Sequence, residues 1–147
     1  MIGLLQRVSR AEVSVDDDII GRIGRGLMVL VAVHRDDTGR DIDRLAERLL
    51  GYRVFPDDAG RMNRSVREIG GGLLLVPQFT LTADTRKGTR ASFTKGAPPD
   101  MASEYFDRLV ATCRRSLDRV ETGRFGADMQ VSLTNDGPVT FWLDTRG

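Results

Sequence analysis

Side chains able to do acid–base or covalent chemistry are scarce in this chain. Its 147 residues hold one histidine, His34, and one cysteine, Cys113. A single histidine excludes every site built from two or more imidazole ligands, the H-E-x-x-H zinc pattern included. A single cysteine excludes an intramolecular disulfide and any multi-cysteine zinc site. His34 follows an apolar strand and precedes Arg35-Asp36-Asp37, so it is expected in a solvent-facing turn, with a general base as the sharper alternative. Cys113 falls on the apolar stripe of a helix, where a thiol is a small hydrophobe with a raised pKa. There is no G-x-S-x-G elbow and no Walker A loop. Gly21-Arg22-Ile23-Gly24-Arg25-Gly26 has the composition of a phosphate cradle, yet it lies between two strands and reads as a hairpin connection. The clusters Asp16-Asp17-Asp18 and Asp57-Asp58 lack EF-hand spacing and read as solvated turns.

Three stretches keep chemical interest. Pro77 interrupts an otherwise buried strand, where the missing N–H costs a ladder bond; this implies an edge, a bulge or an opening beside Gln78-Phe79-Thr80. Asn135-Asp136-Gly137-Pro138 makes a good hairpin turn. Alternatively, Gly137-Pro138 is cis, at a cost of only about 0.5–1 kcal/mol, and presents its flanking carbonyls as a rigid acceptor pair. The connection Thr85 to Lys95 sets Arg86, Lys87, Arg90 and Lys95 around one aromatic, Phe93. It is either a solvated loop or a contact for nucleic-acid phosphates with one stacking residue.

Those stretches must be held by a small set of elements. Met1–Val8 is mostly apolar, Ala11–Val15 alternates with period two, and Gly26–Val33 is a continuous apolar strand. From Asp41 the apolar residues Ile42, Leu45, Ala46, Leu49 and Leu50 follow helical spacing, with Thr38 or Asp41 as cap and Gly51 as the terminating glycine. Tyr52–Phe55 reads as a short strand. Leu73–Val76 reads as a buried strand continuing through Gln78–Leu81. Pro98-Pro99 opens a second helix with the stripe Met101, Tyr105, Leu109, Cys113 and Leu117, widened by Phe106 and Val110. Met129–Leu133 and Val139–Leu143 alternate as two further strands. The expected fold is one α+β domain over residues 1–147: an antiparallel-rich sheet, a partly closed barrel, with two helices packed on it.

Composition bounds the partners. Lys plus Arg number 22 against 21 Asp plus Glu, so no single-sign field can be the source of function. A compact chain of 16.3 kDa exposes roughly 7,500 Å² when folded, enough burial for one hydrophobic core and too little for two ordinary domains. Arg7 comes too early for a signal peptide, and the run Leu27–Val33 is far short of a membrane span, so the expected compartment is the cytoplasm, with no membrane partner.

Taken together, these segments resemble the D-aminoacyl-tRNA deacylase family. The resemblance runs through Gln6-Arg7-Val8-Ser9, Met62-Asn63-Arg64-Ser65, Gln78-Phe79-Thr80-Leu81, Asp84-Thr85-Arg86-Lys87-Gly88, Ala97-Pro98-Pro99, Glu121 to Val131 and Asn135 to Thr140, in that order. It implies hydrolysis of the ester of D-aminoacyl-tRNA, with the acceptor end as partner, no metal and no cofactor. It also implies a homodimer with active sites at the subunit interface. Gln78, Phe79 and Thr80 match the motif lining the aminoacyl-adenosine site, with Pro77 standing where the family usually has serine. Phe125 and Met129 match pocket residues. Gly137 and Pro138 match a cis motif that reaches into the partner's pocket, and Arg86, Lys87 and Arg90 would meet the tRNA.

On that resemblance the physical reading connects. A filter that accepts many amino acids must act at Cα, and rigid carbonyls at Gly137-Pro138 would hold the ammonium and reject the L side chain by clash. Glycine has no side chain to clash, so glycyl-tRNA should leak through. Main-chain donors near Phe79-Thr80 would stabilise the tetrahedral oxyanion, one such donor being worth about 2.7–4 kcal/mol, assisted by the substrate 2′-OH. The rivals are Thr80 as a covalent nucleophile, and a non-catalytic RNA-binding module using the Arg86–Lys95 loop.

Overall fold

A computed structural model describes all residues, Met1–Gly147. Its spine is β1 (Ile2–Val15), a single 14-residue strand made of both opening segments. One edge of β1 carries β8 (Gln130–Asp144) antiparallel, from Ile2 opposite Asp144 to Ser14 opposite Gln130. The other edge carries β2 (Asp18–Ile23) beside Ala11–Val15 and β3 (Gly26–Ala32) beside Ile2–Val8. β2 and β3 therefore follow each other along one strand, and Gly24-Arg25 is a step between collinear segments. The expected hairpin there is not formed, because β1 is long enough to take both strands end to end.

Beyond β3 the sheet turns parallel: β6 (Gly72–Pro77) pairs with β3, and β7 (Val120–Thr122) pairs with β6. The six strands form one mixed sheet. It curls until β2 meets β6 and β7, and a Cβ on Gly21 would lie 2.9 Å from the Thr122 carbonyl oxygen. Inside the curl lies a small core of Val8, Ala11, Val13, Ile23, Met28, Leu74 and Val76. At the other side, α1 (Gly39–Gly51) and α2 (Pro99–Arg114) pack over the larger core. α1 buries Ile42, Leu45, Ala46, Leu49 and Leu50, as its spacing predicts. Gly51 is the last helical residue rather than a left-handed cap, and the chain leaves through an extended Tyr52. α2 buries Ala102, Phe106, Leu109, Val110 and Cys113, leaving Met101 and Tyr105 at the margin. Tyr52–Phe55 contributes only β4 (Phe55–Pro56), paired with β5 (Met62–Arg64).

Two other expectations are corrected. The segment after Leu73–Val76 does not stay extended: β6 ends at Pro77, and Phe79–Thr82 is a 3-10 turn. The Gln78 N–H still donates to Val31 O at 2.7 Å. Alternation along a strand then turns Pro77 toward the β7 side, where strand pairing has already stopped at Leu75 opposite Thr122. The missing donor falls where no ladder bond is needed. Second, Met129–Leu133 and Val139–Leu143 are not two arms of a hairpin but one strand, β8, both halves being held by β1.

Candidate active site

The Gly137-Pro138 bond is cis and sits in a bulge of β8. Thr140 pairs with Gln6 and Asn135 with Val8, so the residues from Asp136 to Val139 all stand opposite Arg7. Three groups hold this excess chain. Arg7 Nε donates to Asp136 O at 2.9 Å, and Arg7 Nη1 donates to Val54 O at 2.7 Å. The Asn135 side-chain amide donates to both Arg7 O and Val139 O at 3.0 Å, closing the base of the bulge. Gly137 has φ +140°, a conformation that disfavours a side chain, and a Cβ there would lie 2.9 Å from Val139 N. Gly137 and Pro138 stay exposed at the tip. Arg7 and Asn135 both lie in segments of interest in the sequence, Gln6-Arg7-Val8-Ser9 and Asn135-Asp136-Gly137-Pro138, but the pairing that makes them supports of the bulge is long-range.

Gln78 and Phe79 lie elsewhere. With Val76, Pro77, Phe125, Met129 and Val131 they line a recess of about 290 Å³. The recess exists because β7 stops short of the end of β6, and Gly123–Met129 loops across the gap. Met129 is seated by Gly123, whose Cβ would meet its sulfur at 2.7 Å. The Arg124 N–H also points at that sulfur, 3.3 Å away. None of the lining side chains is ionisable. Gln78 Nε2 donates to Thr80 Oγ1 at 2.5 Å, so the exposed hydroxyl already accepts from an amide and faces no base. The turn closes through Leu81 N–H to Gln78 O and Ala83 N–H to Thr80 O. Phe79 and Thr80 occupy its first positions, whose N–H groups have no acceptor inside such a turn.

The sequence-derived residues thus form three groups. Gln78, Phe79, Phe125 and Met129 come together around one recess, with Thr80 next to Phe79 in the turn, whereas Gly137 and Pro138 do not line it. Arg86, Lys87 and Arg90 form a third group around a separate recess of about 190 Å³ with Asp84 and Ser92. Arg86 is committed: its Nε and Nη2 grip Asp84 at 3.0 and 2.6 Å. That grip holds the Asp84 carboxyl far below the usual carboxylate range. Lys87 and Arg90 have no ion-pair partner.

His34 is corrected. It is buried, 7 % exposed, rather than solvent-facing, and it lines neither recess. Its main-chain N–H donates to Asp37 Oδ2 at 2.7 Å, and Asp37 Oδ1 accepts from the Met1 amino group at 2.9 Å. Burial and the neighbouring ammonium hold its pKa below the ordinary value, and Nδ1 has no hydrogen-bond partner. Cys113 is fully buried, its thiol pushed up to about 12 by burial. No cluster of three His, Cys, Asp or Glu side chains could hold a metal ion, and no helix is long and apolar enough to cross a membrane.

Fold and recess define an α+β domain with two helices on a nearly closed mixed sheet and an apolar recess that holds no ionisable side chain. The chain belongs to the D-Tyr-tRNA(Tyr) deacylase family, whose profile matches residues 4–144. The D-aminoacyl-tRNA deacylase of Alkalilimnicola ehrlichii is 64 % identical over 146 residues, 99 % of this chain and 97 % of the relative. That of Herminiimonas arsenicoxydans is 61 % identical over 146 residues, covering 99 % and 98 %. Among solved structures, the c-Myc DNA unwinding element binding protein superposes with TM-score 0.94 at 34 % identity, covering 99 % of each chain. A probable eukaryotic D-amino acid tRNA deacylase shares the fold, with TM-score 0.86 at 21 % identity over 97 % of each chain.

Proposed function

We propose that this protein hydrolyses the ester of D-aminoacyl-tRNA, releasing the free D-amino acid and the tRNA. The observation that carries this reading is a recess without any ionisable lining residue, bounded by the free N–H end of the Phe79–Thr82 turn, in a member of this family. Water adds to the ester carbonyl carbon, and the resulting oxyanion collects the Phe79 and Thr80 N–H groups. The bond to the ribose 3′ oxygen then breaks, with a proton supplied through the neighbouring 2′-OH. Gln78 positions the turn through Thr80, while Phe125 and Met129 wall the adenosine end. Lys87 and Arg90, beside Arg86 fixed on Asp84, meet phosphates.

The selective element is the Gly137-Pro138 bulge of a second copy. Within one chain the bulge and the recess do not meet, so a complete site takes two protomers. Two features support such a dimer. The chain exposes 8419 Å², roughly 900 Å² more than a compact monomer of its mass, on the scale of one side of a standard interface. Trp142, Leu4 and Leu30 are also cross-strand neighbours in register on the sheet, with Trp142 52 % exposed. The bulge carbonyls hold the α-ammonium and leave no room for an L side chain, so glycyl-tRNA is accepted as well. Cleavage of D-Tyr-tRNA with L-Tyr-tRNA spared is the expected result; equal rates on the two would sink the proposal.

A second reading, nucleic-acid binding without chemistry, draws on the unpaired Lys87 and Arg90 and on the name of the 34 % identical structure. Tight, salt-sensitive tRNA binding with no ester cleavage would favour it.

A further inference from the structure

Five large apolar side chains are conspicuously exposed in this chain, and two of them lie against each other beside the recess. Phe79 is 60 % exposed and Phe93 45 %; their ring centroids are 5.2 Å apart and the planes are tilted by 59°. Phe79 lines the recess, whereas Phe93 belongs to the connection that carries Lys87 and Arg90. That connection is pinned. Asp84 and Ser92 exchange main-chain hydrogen bonds at 2.8 and 3.0 Å. Arg86 grips Asp84, and Lys95 stands 3.8 Å from it. Arg35 N–H donates to Lys95 O at 3.0 Å, tying the connection to the end of β3. Phe93 is thus held in place with an aromatic surface open to solvent. The apolar pocket, Phe79 and Phe93 follow one another in space, and Ser92, next to Phe93 in the chain, lines the recess of Lys87 and Arg90.

We propose that Phe79 and Phe93 form a stacking platform for the base of the nucleotide that precedes the terminal adenosine of the substrate, with Lys87 and Arg90 taking its phosphate. This deepens the deacylase reading and rests on it for the identity of the occupant. The recess takes the aminoacyl-adenosine end, and the next nucleotide leaves it past Phe79. An unpaired 3′ end offers a base free to stack, and stacking on aromatic side chains is sequence-tolerant because every base has a π-face. A connection that carries Phe93 together with two unpaired cations suits a nucleotide better than a second protein copy, whose apolar contact is assigned above to the Leu30–Leu4–Trp142 row on the sheet. The platform extends the grip on substrate by one nucleotide without touching the reacting atoms.

The test compares three esters: D-tyrosyl-adenosine, D-tyrosyl-CpA and D-Tyr-tRNA. Phe93→Leu keeps an apolar side chain of similar size but no π-face, and Phe93→Trp keeps the face. Expected is a rise of about tenfold or more in KM for the CpA ester and the tRNA in Phe93→Leu, with kcat retained. The adenosine ester should be unchanged, and Phe93→Trp should restore the wild-type KM. Equal loss on the adenosine ester, no change on any substrate, or weakened dimerisation in Phe93→Leu would each overturn the platform. Binding of unesterified CCA trinucleotide, followed by anisotropy, reads the platform independently of chemistry. A wild type that cleaves no ester, yet binds CCA in a Phe93-dependent manner, would end the deacylase reading and leave the platform standing.

Discussion

Thr80 carries the sharpest choice at the scale of single residues. Its hydroxyl accepts from Gln78 and meets no base, and the proposed mechanism uses its main-chain N–H instead. Thr80→Val should therefore keep kcat within about tenfold of wild type. A fall of 10³ or more with an intact fold would make the hydroxyl the nucleophile, since losing a single group of that kind has such an effect. Arg7 acts through geometry instead: its side chain is 14 % exposed and bridges Asp136 O and Val54 O. Arg7→Gln frees the bulge and strands two carbonyls, which should cost about 1–3 kcal/mol of stability in urea and lower discrimination between D- and L-Tyr-tRNA. His34 sets a pH response. Because its folded pKa lies below the ordinary 6.5, the unfolded chain binds its proton first as pH falls, so stability drops below that value and is highest above it. Urea midpoints measured from pH 7.5 to pH 5 should fall in the wild type and fall less in His34→Gln.

The pairing of β3 with β6 governs the site at the scale of elements. Gly26 and Gly72 are opposite each other at the start of the parallel ladder, and a Cβ on Gly26 would collide with the Gly72 main chain. Neither backbone can retreat, because β3 is held by β1 and β6 by β7. Gly26→Ala should thus destabilise by about 3 kcal/mol in urea unfolding, at the upper end of ordinary overpacking. It should also disturb the recess at the far end of β6, seen as a raised KM. The hydrophobic patterns of α1 and α2 were legible in the chain because helical spacing is local. The end of β6 was not, since Gln78–Leu81 has the composition of a strand. Beyond Pro77 the chain leaves β3 and bonds to itself, Leu81 N–H to Gln78 O and Ala83 N–H to Thr80 O, a change of partner that no local spacing expresses.

In one chain the recess and the cis-proline bulge stand apart. The recess is built by β6, the 3-10 turn, the Gly123–Met129 loop and Val131 at the start of β8, while the bulge lies further along β8, opposite Arg7 of β1. If two copies join through the Leu30–Leu4–Trp142 row, Trp142→Arg should yield monomers in sedimentation velocity and lose turnover of D-Tyr-tRNA in parallel. Monomers with full activity would place the whole site within one chain. The near-neutral charge fits the proposal that cationic contact is concentrated on Lys87 and Arg90 rather than spread over the surface.

The amino-acid order by itself determined the scarcity of reactive side chains, the two helices and their buried stripes, and the α+β class. It also determined the family, through short motifs arranged in one order along the chain. These are properties of composition, local period and collinearity. Tertiary structure decided the rest. Gly21–Gly26 became a step along β1, Asn135–Pro138 became a bulge rather than a turn, and His34 moved from solvent to a buried corner. In each case a deciding partner is distant in sequence: β1 for both strand corrections, and for His34 the Met1 amino group, which reaches it through the neighbouring Asp37. A local signal specifies what a segment can form; a long strand with two open edges selects which of those forms gains its hydrogen bonds.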